Sequence, residues 1–185
     1  MTDMAKALLV DDRRENLLAL EAILQGIAVH PVAVESGEAA LKQLMMDDFA
    51  VILLDAQMPD MDGFETAGHI KRRERTRHVP IIFFLTAADR DSHLAVRGYS
   101  VGAVDYLTKP LDPWVLRAKV SVFVDLWSKN RQLQMQAETV RERESQWAAM
   151  TEAVDESLSV LRDAASDPEA VARAVRILEK ARWGS

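Results

Sequence analysis

Four short apolar runs in this sequence each end on a side chain that could do chemistry. Ala5–Val10 leads into Asp11 and Asp12, Ala50–Leu54 into Asp55, Val79–Leu85 into Thr86, and Ala103–Thr108 into Lys109. Three carboxylates converging on one edge repel each other strongly unless a cation is present. Oxygen ligation with neither cysteine nor paired histidine favours a hard ion, and Mg²⁺ suits a site that keeps water and a phosphate oxygen. The lysine adds a mobile point charge suited to phosphate, and the threonine adds a hydroxyl. Such a set can accept a phosphoryl group: a carboxylate attacks phosphorus while metal and lysine neutralise the equatorial oxygens. Singly, each residue has a plainer reading, Asp55 as a turn former or cap, Thr86 as a cap and Lys109 as a surface residue. Jointly, at successive strand ends, chance explains them poorly.

The elements that must position these residues alternate in type. Val51–Leu54 is apolar and is followed at once by a turn containing Pro59, Asp60 and Gly63, which reads as a buried strand of a parallel sheet. Asp55 then lies at the carboxyl end of that strand, where open α/β sheets place their ligands. Leu17, Leu18, Leu20, Ile23 and Leu24 recur at helical spacing and Gly26 stops that helix; Val29–Val34 is the next strand. Ser36 is an N-cap for a helix carrying Ala40 and Leu44, and a further helix runs from about Phe64 to Glu74. A helix through His93, Leu94 and Val96 runs to Gly98 or beyond, although Gly98 and Gly102 weaken it. Five strands alternating with helices predict a parallel sheet covered on both faces, because right-handed crossovers place helices there.

Composition narrows the class. Apolar residues make up 49% of the 185, enough for a substantial core, and the absence of cysteine excludes disulfides and thiolate metal sites. No run approaches the roughly 18 apolar residues of a membrane helix, so no membrane partner is expected and the location is read as cytoplasmic. The net charge of −6 is uneven: residues 1–112 hold 12 Lys/Arg against 18 Asp/Glu, leaving 11 of each beyond. Excess acid in the N-terminal part argues against direct nucleic-acid binding. The basic run Lys71–His78 could be an anion patch, but solvating a helix end, helped by the helix dipole, is the simpler account.

After Pro113 the pattern changes. Leu126, Leu133, Val140, Trp147, Val154 and Leu161 recur at intervals of seven, with no Gly or Pro from there to Arg162. Taken as d positions they pair with a positions Phe123, Asn130, Ala137, Glu144, Thr151 and Leu158, a good seam beside a polar one. The reading is a parallel homodimer through a long coiled-coil helix; the plainer alternative is one amphipathic helix folded back on its own domain. Ser166-Asp167-Pro168-Glu169 then starts a short terminal helix through Val171, Val175 and Leu178.

With these residues in view, the chain resembles the receiver domain of two-component response regulators. The resemblance rests on Asp11-Asp12, the run from Asp55 to Gly63, Leu85-Thr86-Ala87, and Gly102 to Pro110, and covers about residues 4–125. It implies a flavodoxin-like sheet of order 2-1-3-4-5. It also implies that Asp55 is the phosphorylated aspartate, receiving its phosphoryl group from a histidine kinase. Asp12, Asp55 and the Gln57 backbone carbonyl would ligate Mg²⁺, with Asp11 acting through a metal-bound water. Lys109 and Thr86 would hold phosphoryl oxygens, Tyr106 would be the aromatic switch, and the Lys109–Pro110 bond would be cis. The domains expected are a receiver at 1–125, a signalling helix at 113–163 continuing from it, and a terminal helix at 166–183.

The chain departs from the family in one place. Thr86 lies six positions after Pro80 where five is usual, and one extra residue in a strand reverses the face of every later side chain. A bulge near Phe83-Phe84 or a later strand start would absorb it. Other functions are weaker: a dehalogenase-type phosphatase needs an acid where Gln57 stands, and an inert receiver on a coiled-coil scaffold would not need all five chemical residues. The chain is read as a phosphoacceptor switch rather than an enzyme. It stands alone or forms the N-terminal part of a cyclase, phosphatase or kinase.

Overall fold

The computed structural model describes residues 4–86, 104–163 and 168–183. Five strands, β1 (Lys6–Val10), β2 (His30–Val34), β3 (Val51–Asp55), β4 (Ile81–Leu85) and β5 (Asp105–Thr108), form one sheet of order β2-β1-β3-β4-β5. All neighbours in it are parallel. The described helices are α1 (Arg14–Leu24), α2 (Gly37–Met46), α3 (Gly63–Arg72), α4 (Pro113–Asp163) and α5 (Pro168–Trp183). The helix expected through His93–Gly98 and the cap Ser166-Asp167 lie outside the described residues. No described helix is long and apolar enough to cross a membrane.

The chain divides into two compact units, residues 1–129 and 130–185. In the first, each strand sends alternate side chains to opposite faces, building two cores. One gathers Leu8, Ile52, Leu54, Phe83 and Leu85 beneath Leu44 of α2 and Phe64 and Ile70 of α3. The other gathers Leu9, Leu53, Ile82 and Phe84 beneath Leu20 of α1 and Leu116 and Val120 of α4. The helices end where local chemistry ends them. Ser36 Oγ caps α2 by accepting from Ala39 N at 3.2 Å, and Asp62 caps α3 by accepting from Glu65 N at 2.7 Å. Asp112 accepts from Trp114 N at 2.8 Å, and Pro113 opens α4 where its missing N–H costs nothing.

β4 settles the spacing question. Ile81 to Phe84 pair one-to-one with Ile52 to Asp55, and Ile82 to Leu85 pair one-to-one with Asp105 to Thr108. The strand contains no bulge and starts directly after Pro80, whose carbonyl accepts from Ile52 N at 2.9 Å. All five residues are buried, with Ile81, Phe83 and Leu85 in one core and Ile82 and Phe84 in the other. A one-residue slip would exchange these sets. Neither of the two expected ways of absorbing the extra residue, a bulge or a later start, is seen: Leu85 is paired as the last residue of β4, and Thr86 follows half-buried.

In the second unit, α5 lies against the last turns of α4. Ser157 Oγ is within reach of the carbonyls of Ala153 at 2.7 Å and Ala174 at 3.3 Å. Ala153, Ser157 and Ala174 are all buried, so small side chains let the two backbones approach closely.

Gly63 shows how tightly the fold grips the end of β3. Its N–H donates to the Ala56 carbonyl at 3.0 Å, and a Cβ there would run into the Asp55 carbonyl oxygen. Gly63→Ala therefore has to move backbone, and an overpacking cost of about 1–3 kcal/mol is expected. Urea denaturation of this variant checks it, with Gly68→Ala, whose Cβ meets nothing within 4 Å, as the control; inside α3 that change should stabilise by about 0.5–1 kcal/mol.

Candidate functional site

Because β1, β3 and β5 are parallel and in register, their carboxyl ends open on one edge. There the structure brings together Asp11, Asp12, Asp55 and Lys109. Asp11 and Asp55 are buried and Asp12 is exposed, and carboxylate oxygens of the three acids lie within 4.8 Å of one another. The Lys109 ammonium donates to Asp55 Oδ2 at 2.7 Å and to Asp11 Oδ2 at 3.2 Å. The other Asp55 oxygen accepts from Gln57 N at 3.4 Å, while the Gln57 side chain faces solvent. The Lys109–Pro110 peptide is cis, and Lys109 N donates to the Leu85 carbonyl at 2.8 Å. That bond anchors the lysine backbone to the end of β4.

Burial and charge oppose one another here. Burial pushes the Asp55 carboxyl above the ordinary carboxylate range against the pull of Lys109, and the nearby Asp11 charge adds to the rise. Burial alone would lower the Lys109 pKa. The facing Asp55 and Asp11 carboxylates more than reverse this and hold the ammonium above its usual value. The lysine is thus charged and fixed, with two oxygens of different carboxylates as its partners.

Asn16, on the first turn of α1, is a site residue that the sequence reading did not single out. Its amide Nδ2 donates to both oxygens of Asp11, at 2.8 and 3.0 Å, and Arg13 N donates to Oδ1 at 2.9 Å. The signal was there in principle: helix side chains lean toward the N-terminus, so a first-turn Asn reaches back over the preceding strand end.

Thr86 and Tyr106 stand differently. Tyr106 pairs in register with Phe83 and packs, half-buried, against the core on the α2–α3 side. On β4 that same face carries Phe83 and Leu85, and Thr86 comes one residue later. Next to Tyr106, Asp105 makes an ion pair with Lys119 of α4, and Arg117 Nε of that helix donates to the Ile23 carbonyl of α1 at 2.6 Å.

The model of the response regulator receiver domain matches residues 7–121. The response regulator PleD of Caulobacter vibrioides is 36% identical over 116 residues, covering 63% of this chain and 25% of that protein. The chain therefore spans about a quarter of that relative's length. Among solved structures, the chemotaxis protein CheY4 of Vibrio cholerae superposes with a TM-score of 0.60 at 28% identity, over 65% of this chain and 99% of that one. The receiver domain of the sensor histidine kinase PA1611 of Pseudomonas aeruginosa, with a magnesium ion in its active-site cleft, gives 0.60 at 26% identity. It covers 66% of this chain and 99% of that one.

Removing the Asn16 amide strips donors from a buried carboxylate, so Asn16→Ala is expected to cost about 1.5–3 kcal/mol, the range for hydrogen bonds to charged groups. Glu15→Ala, at an exposed surface pair with Arg13, should change stability by less than about 0.5 kcal/mol in the same urea titration.

Proposed function

The chain belongs to the response regulator receiver family, and from that premise we propose that it takes a phosphoryl group from a histidine kinase onto Asp55 and passes the change into a dimeric C-terminal helix. One observation carries the proposal: an ammonium from β5 already bridges carboxylates from β1 and β3 at the carboxyl edge of the sheet. A carboxylate so placed can attack a phosphohistidine. An Asp55 oxygen forms the new P–O bond, the P–N bond breaks, and its electron pair leaves with the imidazole. Lys109, already in contact with Asp55, is positioned for a phosphoryl oxygen, and we assign Thr86 to another.

The acid cluster fits Mg²⁺: its donors are hard oxygens, near enough to one another to share an ion, with one of the three exposed to water. Asp12, Asp55 and the Gln57 carbonyl would hold it, and Asp11 would act through a bound water. The ion supplies neutralisation of charge on the phosphoryl oxygens. Asn16 keeps Asp11 oriented at the rim of this cluster. The activity assigned is self-catalysed phosphotransfer and dephosphorylation, with no other enzymatic step.

For output, we assign a receiver at residues 1–125, a signalling helix at 113–163 and a terminal helix at 166–183. Thr86 and Tyr106 form the switch, and the Asp105–Lys119 pair beside Tyr106 gives it a route into α4. Leu133, Val140 and Trp147 of α4 are 61%, 52% and 75% exposed, which a second chain pairing along the seven-residue seam would relieve. Glu144 and Thr151 at a positions keep the middle of that seam weak, so its two ends can respond separately.

Two measurements test this. Acetyl phosphate with Mg²⁺ should label the wild-type chain and not Asp55→Asn; EDTA should abolish labelling, and Asp12→Ala should lose labelling and Mg²⁺ affinity together. Undiminished labelling in EDTA overturns the metal assignment. In sedimentation, the intact chain should dimerise at tens of micromolar, and Leu133→Asp/Val140→Asp should dissociate it. Each buried leucine or valine of the seam contributes about 1.5–3 kcal/mol.

A further inference from the structure

The hairpin of α4 and α5 leaves its own apolar residues uncovered. Four residues separate the two helices, so α5 runs back along α4, with Ser157 beside Ala174. Ala153 and Ser157 mark the contact line on α4; Ala174, with the half-buried Ile177 and Ala181, marks it on α5. At roughly 100° per residue, Val154, Leu158 and Leu161 lie about a quarter-turn on from that line along α4. Val171, Val175 and Leu178 lie about a quarter-turn on along α5, in the same sense. Because the helices run in opposite directions, equal turns of the same sense bring both stripes to one side of the hairpin. These six residues are 37–54% exposed in the single chain.

We infer that this two-helix face is a docking surface for the same face of a second copy, so that the dimer ends in a four-helix bundle rather than in a two-stranded coil. The inference rests on the dimer proposed above and extends it to α5. Val154 and Leu161 are the last two members of the seven-residue seam, so the chain that covers the seam also meets the stripe on α5. Charge agrees with that occupant. Thr151–Asp163 holds four acids against one base, and α5 holds four bases against two acids. Two hairpins packed face to face can set each acidic helix beside a basic one, both within a chain and across the interface. Small residues inside the hairpin and large ones on its open face are the division of labour a bundle requires: close backbones within each pair, filled volume between pairs.

The test uses the full chain. Val171→Asp/Val175→Asp places charge on the α5 stripe and leaves Ala174 and the hairpin contact intact. It should weaken dimerisation in sedimentation by about a hundredfold or more, because two carboxylates would be buried in an apolar interface. A wild-type dimerisation constant in this variant, beside a dissociated Leu133→Asp/Val140→Asp, would overturn the four-helix bundle and leave the two-stranded coil standing. A wild-type chain that is monomeric at tens of micromolar would overturn both. A second measurement does not depend on the folding of the charged variant. The chain has no cysteine, so Val175→Cys carries a single thiol. Its alkylation by iodoacetamide should be slowed about tenfold or more at dimer concentrations, the loss of access expected of a buried thiol. Adding Leu133→Asp/Val140→Asp should restore the rate. Equal rates in the two backgrounds would mean that α5 faces solvent in the dimer, and the inference would fail.

Discussion

Two buried carboxylates share one ammonium, and the architecture of the first unit is arranged around keeping that possible. The Asp11 side chain is 1% exposed and that of Asp55 9%. Like charges so placed are expensive to desolvate unless an opposite charge and good hydrogen bonds compensate. Lys109 supplies the charge, from a strand two positions away from β3 in the sheet. The three ends must therefore stay in register to within a fraction of a residue. A sheet whose central strands are buried on both faces holds register that firmly. Asn16 and Arg13 N add neutral donors to Asp11, and the Gly63 turn lets the chain fold closely under Asp55.

Much of this was legible in the amino-acid order. Apolar runs ending in carboxylates, lysine or threonine, interleaved with helical periodicity, predict a parallel sheet with those groups at one edge, and the sheet of order 2-1-3-4-5 has them there. Ser36 could be read as a cap because its type and place before Ala39 and Ala40 leave few alternatives. What was not legible depends on tertiary contact. Asn16 is an ordinary polar residue on a helix until Asp11 is placed beneath it. The packing of α5 on α4 depends on Ala153, Ser157 and Ala174, residues too small to register in a hydrophobic pattern. The heptad reading attended to the large residues and so traced the open face of the hairpin, not its closed one.

The unbulged β4 bears on how related chains should be matched to this one. With no bulge in β4 to absorb the added residue, it acts as an offset between two ways of counting. Numbering forward from Pro80 makes Leu85 the counterpart of the family's hydroxyl residue; matching the Leu-Thr-Ala motif makes it Thr86. The function proposed above follows the motif, with Thr86 as the hydroxyl residue, although Asp55 is opposite Phe84 and Leu85 comes next on the strand. Homology drawn by counting and homology drawn by motif therefore part company at a single residue. An evolutionary tree or transfer of mutational data that treats the two as the same column would, at that column, be comparing a buried aliphatic side chain with a hydroxyl.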